Sequence, residues 1–164
     1  MFKKLFGSQS KKQETIIAPV TGRVVPLEQV PDPTFAEKML GEGIAIEPAE
    51  GVVAAPVDGE IISVFPSKHA IGIRSKQGLE ILIHIGLETV NMKGEGFETY
   101  VQEGDKVSAG TKLTSFSLEL IKQKAVSTII PVVITNYDIV KQMDAVSEGE
   151  VKRAESELLN LVLA

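Results

Sequence analysis

From Thr15 to the C-terminus, the chain consists of short apolar runs that glycine, proline and aspartate interrupt at short intervals. The runs are TIIAPV, GRVVPL, GIAIEP, GVVAAPV, GEIISVF, AIGIRS, LEILIHIG, TKLTSF, TIIPVVIT and LLNLVLA. Regularly spaced short strands with turn residues between them are typical of an all-β sandwich or barrel. With 164 residues the chain is long enough for one domain around one core. We therefore expect an antiparallel β-sandwich or barrel with one or two short helical turns.

Two of these runs belong to an internal repeat. Residues 18–25 read APVTGRVV, and residues 55–62 read APVDGEII. A third segment, residues 103–107, adds the turn EGDKV between two runs. The A-P-V-x-G strand entry and the E-G-D-x-V turn resemble the duplicated half-barrel motif that biotinyl and lipoyl carriers share with several other β folds. The repeat therefore predicts an architecture and leaves the function open.

Helical pattern is confined to two short segments. The first covers residues 34–40, with Asp32 as its N-cap and Gly41 just after its end. The second covers residues 118–125 and follows Ser117, which is another good N-cap residue. We expect both segments to be excursions from the sheets.

Residues 1–14 are predicted to form a mobile basic leader before a single domain of residues 15–164. The leader is polar, and it is rich in small residues and lysine. At its start, Phe2, Leu5 and Phe6 have helical spacing beside two lysines. This segment could therefore form a short amphipathic turn that touches an anionic membrane weakly.

Composition excludes several classes of function. The chain has no cysteine, which rules out disulfides, thiolate metal sites and cysteine nucleophiles, so the histidines are the obvious nucleophiles. No apolar run approaches the roughly 18 residues that span a bilayer, and the first residues are too few for a secretory signal. A net charge of −5 argues against a nucleic-acid partner. The sequence therefore predicts a cytoplasmic protein.

The two histidines, His69 and His84, flank a predicted hairpin turn at residues 75–78 at nearly equal distances. If the chain folds back about the centre of that turn, His69 lies directly opposite His84. Directly opposed residues point to the same side of a sheet, so the two imidazoles would share one site. If Gly78 instead takes a left-handed bulge position, the register slips by one residue and the side chains go to opposite faces.

The residues around the two histidines favour different roles for them. Ser67 lies two residues before His69, so on a strand its hydroxyl would share a face with the imidazole and could orient it. In the second run, Leu82, His84 and Gly86 share one face, while the isoleucines between them take the core face. Gly86 has no side chain, which would leave room and backbone N–H donors for a phosphoryl group. A bulge or a strand end would explain the same glycine.

Residues 78–90, GLEILIHIGLETV, resemble the signature of the glucose-type enzyme IIA of the bacterial phosphoenolpyruvate-dependent sugar phosphotransferase system. The histidine, both glycines, the threonine and the aliphatic triplet are all present. Further matches are VPDPTF at 30–35, GIAI at 43–46, APVDG at 55–59, HA at 69–70, KGEGF at 93–97 and STIIPVV at 127–133. The resemblance covers about residues 15–164 and implies a single enzyme IIA domain.

This resemblance implies a stoichiometric phosphoryl relay that needs no cofactor. In the family, a histidine-containing phosphocarrier protein donates a phosphoryl group to the IIA histidine, which passes it to a cysteine on the IIB domain of a sugar permease. His84 matches the phosphorylated histidine, and His69 matches its partner, which assists transfer through the bound phosphate. Ser67 stands where the family often has a threonine that orients this partner. No metal ion is expected to be required for the transfer.

A docking surface for the partner proteins is also implied by the resemblance. Asp32 and Glu88 match acids that lie where a partner's cation approaches, and Glu88 stands where the family commonly has an aspartate. The apolar residues that match the docking surface are Phe35, Met39, Leu40 and Phe65. Without the resemblance, the same four residues would more often be interpreted as core.

Two other functions fit parts of the pattern. A lipoyl or biotinyl carrier would share the repeated half-barrels, but it needs a lysine in a Met-Lys-Met or Asp-Lys-Ala context, and the chain has neither. A zinc hydrolase would use paired imidazoles and a carboxylate, but no His-x-His or His-Glu-x-x-His spacing occurs. Zinc would therefore bind His69 and His84 only incidentally, together with a ligand from a partner.

Overall fold

The computed structural model describes residues 12–164, and their regular secondary structure is mostly β. The strands are β1 Lys12–Ile17, β2 Gly22–Pro26, β3 Glu42–Pro48, β4 Val52–Ala54, β5 Gly59–Val64, β6 Ala70–Ser75, β7 Glu80–His84, β8 Phe97–Thr99, β9 Lys106–Val107, β10 Lys112–Phe116, β11 Ile130–Ile134, β12 Val140–Ala145, β13 Glu150–Val151 and β14 Glu157–Leu163. The helices are α1 Pro33–Ala36 and α2 Leu118–Lys124, with 3₁₀ turns at Leu27–Gln29, Thr89–Met92 and Tyr137–Ile139. None of the helices in this part of the chain is long and apolar enough to cross a membrane. The predicted all-β class with short helical turns is confirmed.

In the described chain, the strands form antiparallel sheets whose order is symmetric. The largest sheet has the order β13-β2-β3-β11-β7-β6-β5-β9, and two smaller sheets have the orders β1-β14-β12 and β4-β10-β8. Each strand of the group β1–β3 and β11–β14 therefore has a counterpart in the group β4–β10. We call the first group the split half-barrel, because the second group, the inserted half-barrel, interrupts it along the chain. The duplication predicted from the A-P-V-x-G repeat is confirmed.

Reciprocal hydrogen bonds join the two half-barrels at their repeated segments. Ile17 donates its backbone N–H to the carbonyl of Pro56, with an N···O distance of 2.9 Å. Ala54 donates to the carbonyl of Pro19 in the same way, at 2.8 Å. The first bond runs from the split half-barrel to the inserted half-barrel, and the second joins the equivalent residues in the opposite direction. A local two-fold axis therefore relates the two half-barrels.

The same axis passes through the centre of the large sheet, where β7 meets β11. Ile83 and Val132 face each other there. The register with the flanking strands β6 and β3 makes His84 and Val133 counterparts, each one residue from the axis. His84 therefore lies at the junction of the two half-barrels.

The glycine of each repeat is required by the neighbouring strand. A Cβ atom on Gly22 would lie 2.1 Å from the carbonyl oxygen of Glu47, and one on Gly59 would lie 2.1 Å from that of Arg74. No side chain fits at such a distance, because the backbone of a paired strand cannot move away without breaking its hydrogen bonds. The repeat therefore preserves a close backbone approach that both half-barrels share.

Alternation along β7 divides its apolar residues between two clusters. Ile81 and Ile83 point into the main core, as the sequence predicts, and Ile85 joins them beyond the strand end. Leu82 lies on the opposite face, against a second cluster that the segment between β2 and β3 covers. The buried members of this second cluster are Val25, Leu27, Val30, Phe35, Ala45, Leu87, Ile129 and Val133. Because His84 alternates with Ile83, it shares its face with the second cluster.

The hairpin of β6 and β7 does not have the predicted symmetric register. Ala70, rather than His69, pairs with His84. The N–H of Ser75 donates to the carbonyl of Leu79 at 2.8 Å, and Gly78 has a φ of +99°. This is a three-residue loop that ends in a left-handed residue, so the register differs by one from that of a two-residue turn. The prediction that the two histidines pair directly is wrong.

The first predicted helix is shorter than its sequence pattern, while the second lies where it is predicted. The carboxylate of Asp32 caps α1 as expected. Lys38, at a φ of +59°, takes the left-handed position after α1, rather than the later glycine, and its ammonium forms ion pairs with two glutamates. The hydroxyl of Ser117 caps α2.

The structure describes only the C-terminal end of the predicted leader. Its last residues, 12–14, belong to β1 and pair with β14. The remaining residues, 1–11, lie outside the described part of the chain. The membrane contact predicted for Phe2, Leu5 and Phe6 falls on those residues and stays a prediction.

Candidate functional site

His84 is the last residue of β7, and the backbone fixes the tautomer of its ring. Its Nδ1 atom lies 2.8 Å from the carbonyl oxygen of Gly86. A carbonyl oxygen can only accept, so Nδ1 carries the proton and donates it, and Nε2 of the neutral ring keeps its lone pair. The side chain is half-buried. His84 therefore offers one nitrogen as a nucleophile.

His69 reaches His84 although the strand register does not bring it there. The two ring centroids are 4.9 Å apart, and the ring planes are inclined at 80°. His69 follows a turn at residues 65–68, in which Lys68 has a φ of +63°. Because this turn interrupts the strand before β6 begins, the pleat does not set the direction of the His69 side chain. The two imidazoles meet as predicted, but for a different reason.

Ser67 does not hold His69 through a hydrogen bond in this structure. It lies in the turn at residues 65–68, so the prediction that it shares a strand face with His69 is wrong. His69 is only 4% exposed. Its Nδ1 atom is buried and has no hydrogen-bond partner among the described residues. The orienting role of Ser67 stays a prediction, and of the two imidazoles only that of His84 is appreciably accessible.

Both imidazoles are neutral at pH 7. Burial, and to a smaller extent the charge of His84, lowers the pKa of His69 to about 4. Burial also lowers the pKa of His84, while its hydrogen bond to Gly86 and the negative charge of Asp32 act in the opposite direction. A nucleophilic imidazole must be unprotonated. The environment therefore keeps His84 in its reactive form.

Gly86 does not leave open space beside His84, and that part of the prediction is wrong. A Cβ atom there would lie 2.6 Å from Cγ2 of Thr89 and 3.0 Å from the carbonyl oxygen of Ser127. Protein atoms therefore occupy the volume that a side chain would need. The φ of Gly86 is +79°, a conformation that glycine adopts readily. The glycine allows its own carbonyl to face Nδ1 of His84.

One phenylalanine lies against each histidine. The ring centroid of Phe35 is 5.1 Å from that of His84, and the centroid of Phe65 is 5.5 Å from that of His69. Phe35 is only 3% exposed and belongs to the second apolar cluster. Its predicted place on the docking surface is therefore wrong, because the segment between β2 and β3 folds it inward. Phe65 is exposed, as the docking prediction requires.

Other predicted docking residues lie at the surface. Met39 and Leu40 are exposed. Glu88 is also exposed, and its backbone is left-handed, with a φ of +60°. Asp32 is half-buried, and one of its carboxylate oxygens accepts the N–H of Thr34 at the start of α1. The negative charge of Asp32 still acts on His84.

Sequence reasoning missed two exposed valines close to this region. Val90 lies in the 3₁₀ turn that follows Glu88. Val126 is 60% exposed, and its N–H donates to the carbonyl of Leu87 at 3.2 Å. Both valines stand outside the regular alternation of the strands, so periodicity gave no signal for them. These exposed side chains, Met39, Leu40, Phe65, Val90 and Val126, form the candidate docking surface, which is called the docking surface below.

The site does not hold a complete set of metal ligands. Within residues 12–164, no three histidine, aspartate or glutamate side chains are grouped so that they could bind a metal ion. His69 and His84 would supply two ligands, and a zinc ion needs about four. Further ligands would therefore have to come from another molecule.

Known proteins resemble the chain over nearly its whole length. Residues 14–140 match the family described as phosphoenolpyruvate-dependent sugar phosphotransferase system (PTS), EIIA 1. The chain is 56% identical over 164 residues to a PTS system glucose-specific EIIA component of Bacillus cereus, covering 99% of both chains. It is 53% identical over 169 residues to a protein of the same name from Halalkalibacterium halodurans, covering 98% of both. The solved glucose permease IIA from Mycoplasma capricolum has a TM-score of 0.86 and 40% identity, covering 91% of this chain and 96% of that chain.

Proposed function

Because the chain belongs to the EIIA 1 family of the phosphoenolpyruvate-dependent sugar phosphotransferase system, we propose that His84 carries the phosphoryl group. The family makes the protein a phosphoryl carrier in sugar uptake, with phosphotransferase activity as part of a relay. The observation that carries the assignment to His84 is the 2.8 Å hydrogen bond from Nδ1 to the carbonyl of Gly86, which leaves Nε2 free to attack. These relatives give no support to a lipoyl or biotinyl carrier or to a zinc hydrolase.

In the first transfer, the Nε2 lone pair of His84 attacks the phosphorus of a phosphohistidine on the donor protein. The new N–P bond forms while the donor's N–P bond breaks, and the donor imidazole leaves with the electron pair. The His84 ring then gains positive charge, which its Nδ1–H shares with the carbonyl of Gly86. In the second transfer the N–P bond of His84 breaks, and the electron pair returns to Nε2 as the acceptor attacks.

We assign His69 the role of assisting these transfers. Its ring is 4.9 Å from that of His84, and its low pKa keeps it neutral at pH 7. A neutral imidazole can donate one N–H to a phosphoryl oxygen without adding a full positive charge that would hold the phosphate too tightly. Ser67 is the residue that we propose for orienting this ring, because it lies in the adjoining turn and the Nδ1 atom of His69 has no partner within residues 12–164.

The family implies a phosphocarrier protein as donor and a IIB domain as acceptor. We propose that a histidine-containing phosphocarrier protein and the IIB domain of a glucose permease bind in turn to the docking surface. Exposed apolar side chains around a shallow nucleophile suit protein partners better than a small substrate. The acids Asp32 and Glu88 would receive a cation of the partner. Glucose is the sugar that we propose, because the relatives in Bacillus cereus and Halalkalibacterium halodurans are named for it.

We further propose that the relay operates in the cytoplasm. The family description names phosphoenolpyruvate, which is produced by cytoplasmic metabolism. A weak membrane contact of Phe2, Leu5 and Phe6 would bring the protein close to the permease. No nucleic-acid partner is expected, because the net charge of the chain is −5.

The test is phosphorylation in vitro with phosphoenolpyruvate, enzyme I and a histidine-containing phosphocarrier protein. We expect one acid-labile phosphate per chain on His84, located by peptide mass spectrometry at neutral pH. The variant His84→Gln should accept none, while its thermal unfolding remains cooperative. Phosphate on His69, or no phosphate on the folded wild-type protein, would overturn the assignment.

The matched control for His84→Gln is the same substitution at the other histidine. His69→Gln should still accept phosphate from the carrier, but should pass it to a IIB domain at least about tenfold more slowly, because the N–H donor is displaced in the transition state. Unchanged sugar phosphorylation would remove His69 from the mechanism. Glucose permease and a permease for another sugar, assayed side by side, would test the proposed sugar.

A further inference from the structure

The docking surface contains the most exposed large apolar side chain of residues 12–164. Met39 is 69% exposed, whereas Met92 is 6% exposed. Met143, on β12, is half-buried. Small oxidants reach exposed thioethers more readily than buried ones. Among the methionines of the described chain, Met39 is therefore the one that an oxidant reaches first.

The backbone holds Met39 in a fixed relation to the phosphoryl site. Its N–H donates to the carbonyl of Thr34 at 3.1 Å. The preceding residue, Lys38, has a left-handed backbone, and its ammonium is paired with two glutamates. Thr34 is followed by Phe35, whose ring lies against His84. These interactions therefore fix the backbone at Met39, which lies one helical turn after Phe35, the residue that contacts His84.

We propose that Met39 is an oxidation site through which peroxide weakens the docking of the phosphocarrier protein. In this reaction the sulfur of Met39 attacks one oxygen of hydrogen peroxide. The S–O bond forms, the O–O bond breaks, and water leaves, so the sulfur loses two electrons and the peroxide gains them. The proposal rests on the proposed function, because it requires that a partner protein covers Met39 during transfer.

The sulfoxide changes docking because a partner must remove water from the side chain that it covers. A thioether gives up its water easily and adapts to an irregular surface. A sulfoxide is polar, and burying it without a hydrogen-bond donor costs free energy. The side chain of Met39 belongs to neither apolar cluster. Oxidation therefore acts on binding of the partner and leaves the fold and the chemistry at His84 intact.

The experiment compares the protein before and after treatment with hydrogen peroxide. Peptide mass spectrometry should find sulfoxide on Met39 earlier than on Met92 or Met143. In the phosphorylation assay, the KM for the phosphocarrier protein should rise about 3- to 10-fold while kcat stays the same, since a lost apolar contact of this size changes affinity by up to a factor of ten. The melting temperature should not change. A methionine sulfoxide reductase should restore the original KM.

Two variants keep the proposal open to refutation. Met39→Leu preserves an apolar side chain of similar size without sulfur, so its KM, whatever its starting value, should not change on treatment with peroxide. Met39→Gln should have a raised KM without any peroxide. The proposal is overturned if oxidised wild-type protein keeps its KM, or if peroxide raises the KM of Met39→Leu equally. Failure of untreated wild-type protein to accept phosphate would instead refute the proposed function.

Discussion

Each strand of one half-barrel has a counterpart in the other, but the two half-barrels differ in the segment between their second and third strands. In the inserted half-barrel, residues 65–69 connect β5 to β6, and this short turn ends in His69. In the split half-barrel, residues 27–41 connect β2 to β3, and this longer segment carries α1 and lays Phe35 against His84. The proposed site is therefore built where the duplicated halves have diverged, on a frame that they still share.

The local axis explains why this difference has a chemical effect. His84 and its counterpart Val133 lie on either side of the axis and on the same face of the sheet, where both connecting segments can reach them. Val133 is buried in the second apolar cluster, while His84 is half-buried between Phe35 and His69. The split half-barrel supplies the apolar side chain of Phe35, and the inserted half-barrel supplies the second imidazole, that of His69. A symmetric frame thus holds an asymmetric site.

Removing the phenylalanine of each connecting segment should give the largest effect. Phe35→Ala leaves a cavity in the second apolar cluster, so the free energy of unfolding should fall by about 3–5 kcal/mol. Phe65→Ala removes an exposed side chain and should cost less than about 1 kcal/mol. Urea unfolding followed by circular dichroism measures both. Equal losses would contradict the difference between the two segments.

A second comparison uses two positions that the axis relates, Gly86 and Thr135. In Gly86→Ala, the new methyl group overlaps Thr89 and the backbone is strained, so we expect a loss of roughly 3 kcal/mol in the free energy of unfolding. Transfer from the phosphocarrier should also slow at least about tenfold, because the carbonyl that binds His84 moves. Thr135 is exposed, and Thr135→Ala should change stability by less than about 0.5 kcal/mol.

The outcome for these two positions is read from urea unfolding and from single-turnover phosphorylation. If Gly86→Ala unfolds like the wild-type protein and transfers phosphate at the same rate, the carbonyl of Gly86 does not fix the ring of His84. If Thr135→Ala lowers the free energy of unfolding as much as Gly86→Ala does, the two half-barrels do not differ at these related positions.

Much of the frame was predictable from local pattern, but the register of one hairpin was not. The A-P-V-x-G repeat indicated the duplication because each glycine is required by the same close approach of backbones. The alternation of Ile81 and Ile83 with His84 indicated which face of β7 is core. The turn at residues 75–78 is compatible with a two-residue or a three-residue loop. Only the pairing of Ser75 with Leu79 decides between them.

The site was less predictable than the frame because it depends on how two irregular segments fold back. Composition singled out His69 and His84, but their contact depends on the turn before β6 rather than on strand pairing. Phe35 and Met39 lie close together in one segment, and no periodicity shows that the first is buried while the second is exposed. The lack of a side chain at Gly86 predicts open space beside His84, but Thr89 fills that space.

The pH dependence of stability should show that the folded inserted half-barrel keeps the imidazole of His69 unprotonated. The pKa of His69 is about 4 in the folded protein, against an ordinary value of 6.5. As the pH falls below 6.5, the unfolded chain binds this proton and the folded chain does not. The contribution of His69 to stability is therefore complete above pH 6.5 and is lost between pH 6.5 and 4, by up to about 3 kcal/mol.

His69→Gln removes this contribution and leaves every carboxylate in place. Its free energy of unfolding should therefore decrease less than that of the wild-type protein between pH 7 and pH 4, as measured from urea unfolding curves. The lowered pKa of His84 acts in the same direction in both proteins. Parallel curves for the two proteins would mean that His69 is not protected from protonation in the folded state.

The smallest expected effect concerns a left-handed position that both half-barrels use with different residues. Gly110 has a φ of +96° and donates its N–H to the carbonyl of Ala55 at 2.8 Å. Ala154 has a φ of +66° and donates to Ala18 at 2.9 Å. A left-handed backbone costs alanine about 1 kcal/mol that glycine avoids. Ala154→Gly should therefore raise the free energy of unfolding by about 0.5 kcal/mol, after allowance for the freer unfolded chain.

The reverse substitution, Gly110→Ala, should lower the free energy of unfolding by about 1 kcal/mol for the same reason. Its Cβ atom would lie 3.6 Å from that of Ala154, which is an ordinary contact, so the change isolates the backbone conformation from any clash. Urea midpoints at an unchanged m-value measure both effects, and phosphorylation of the protein by its phosphocarrier serves as the check that the site is intact. If Ala154→Gly and Gly110→Ala shift the midpoint in the same direction, the left-handed conformation is not what distinguishes the two halves here.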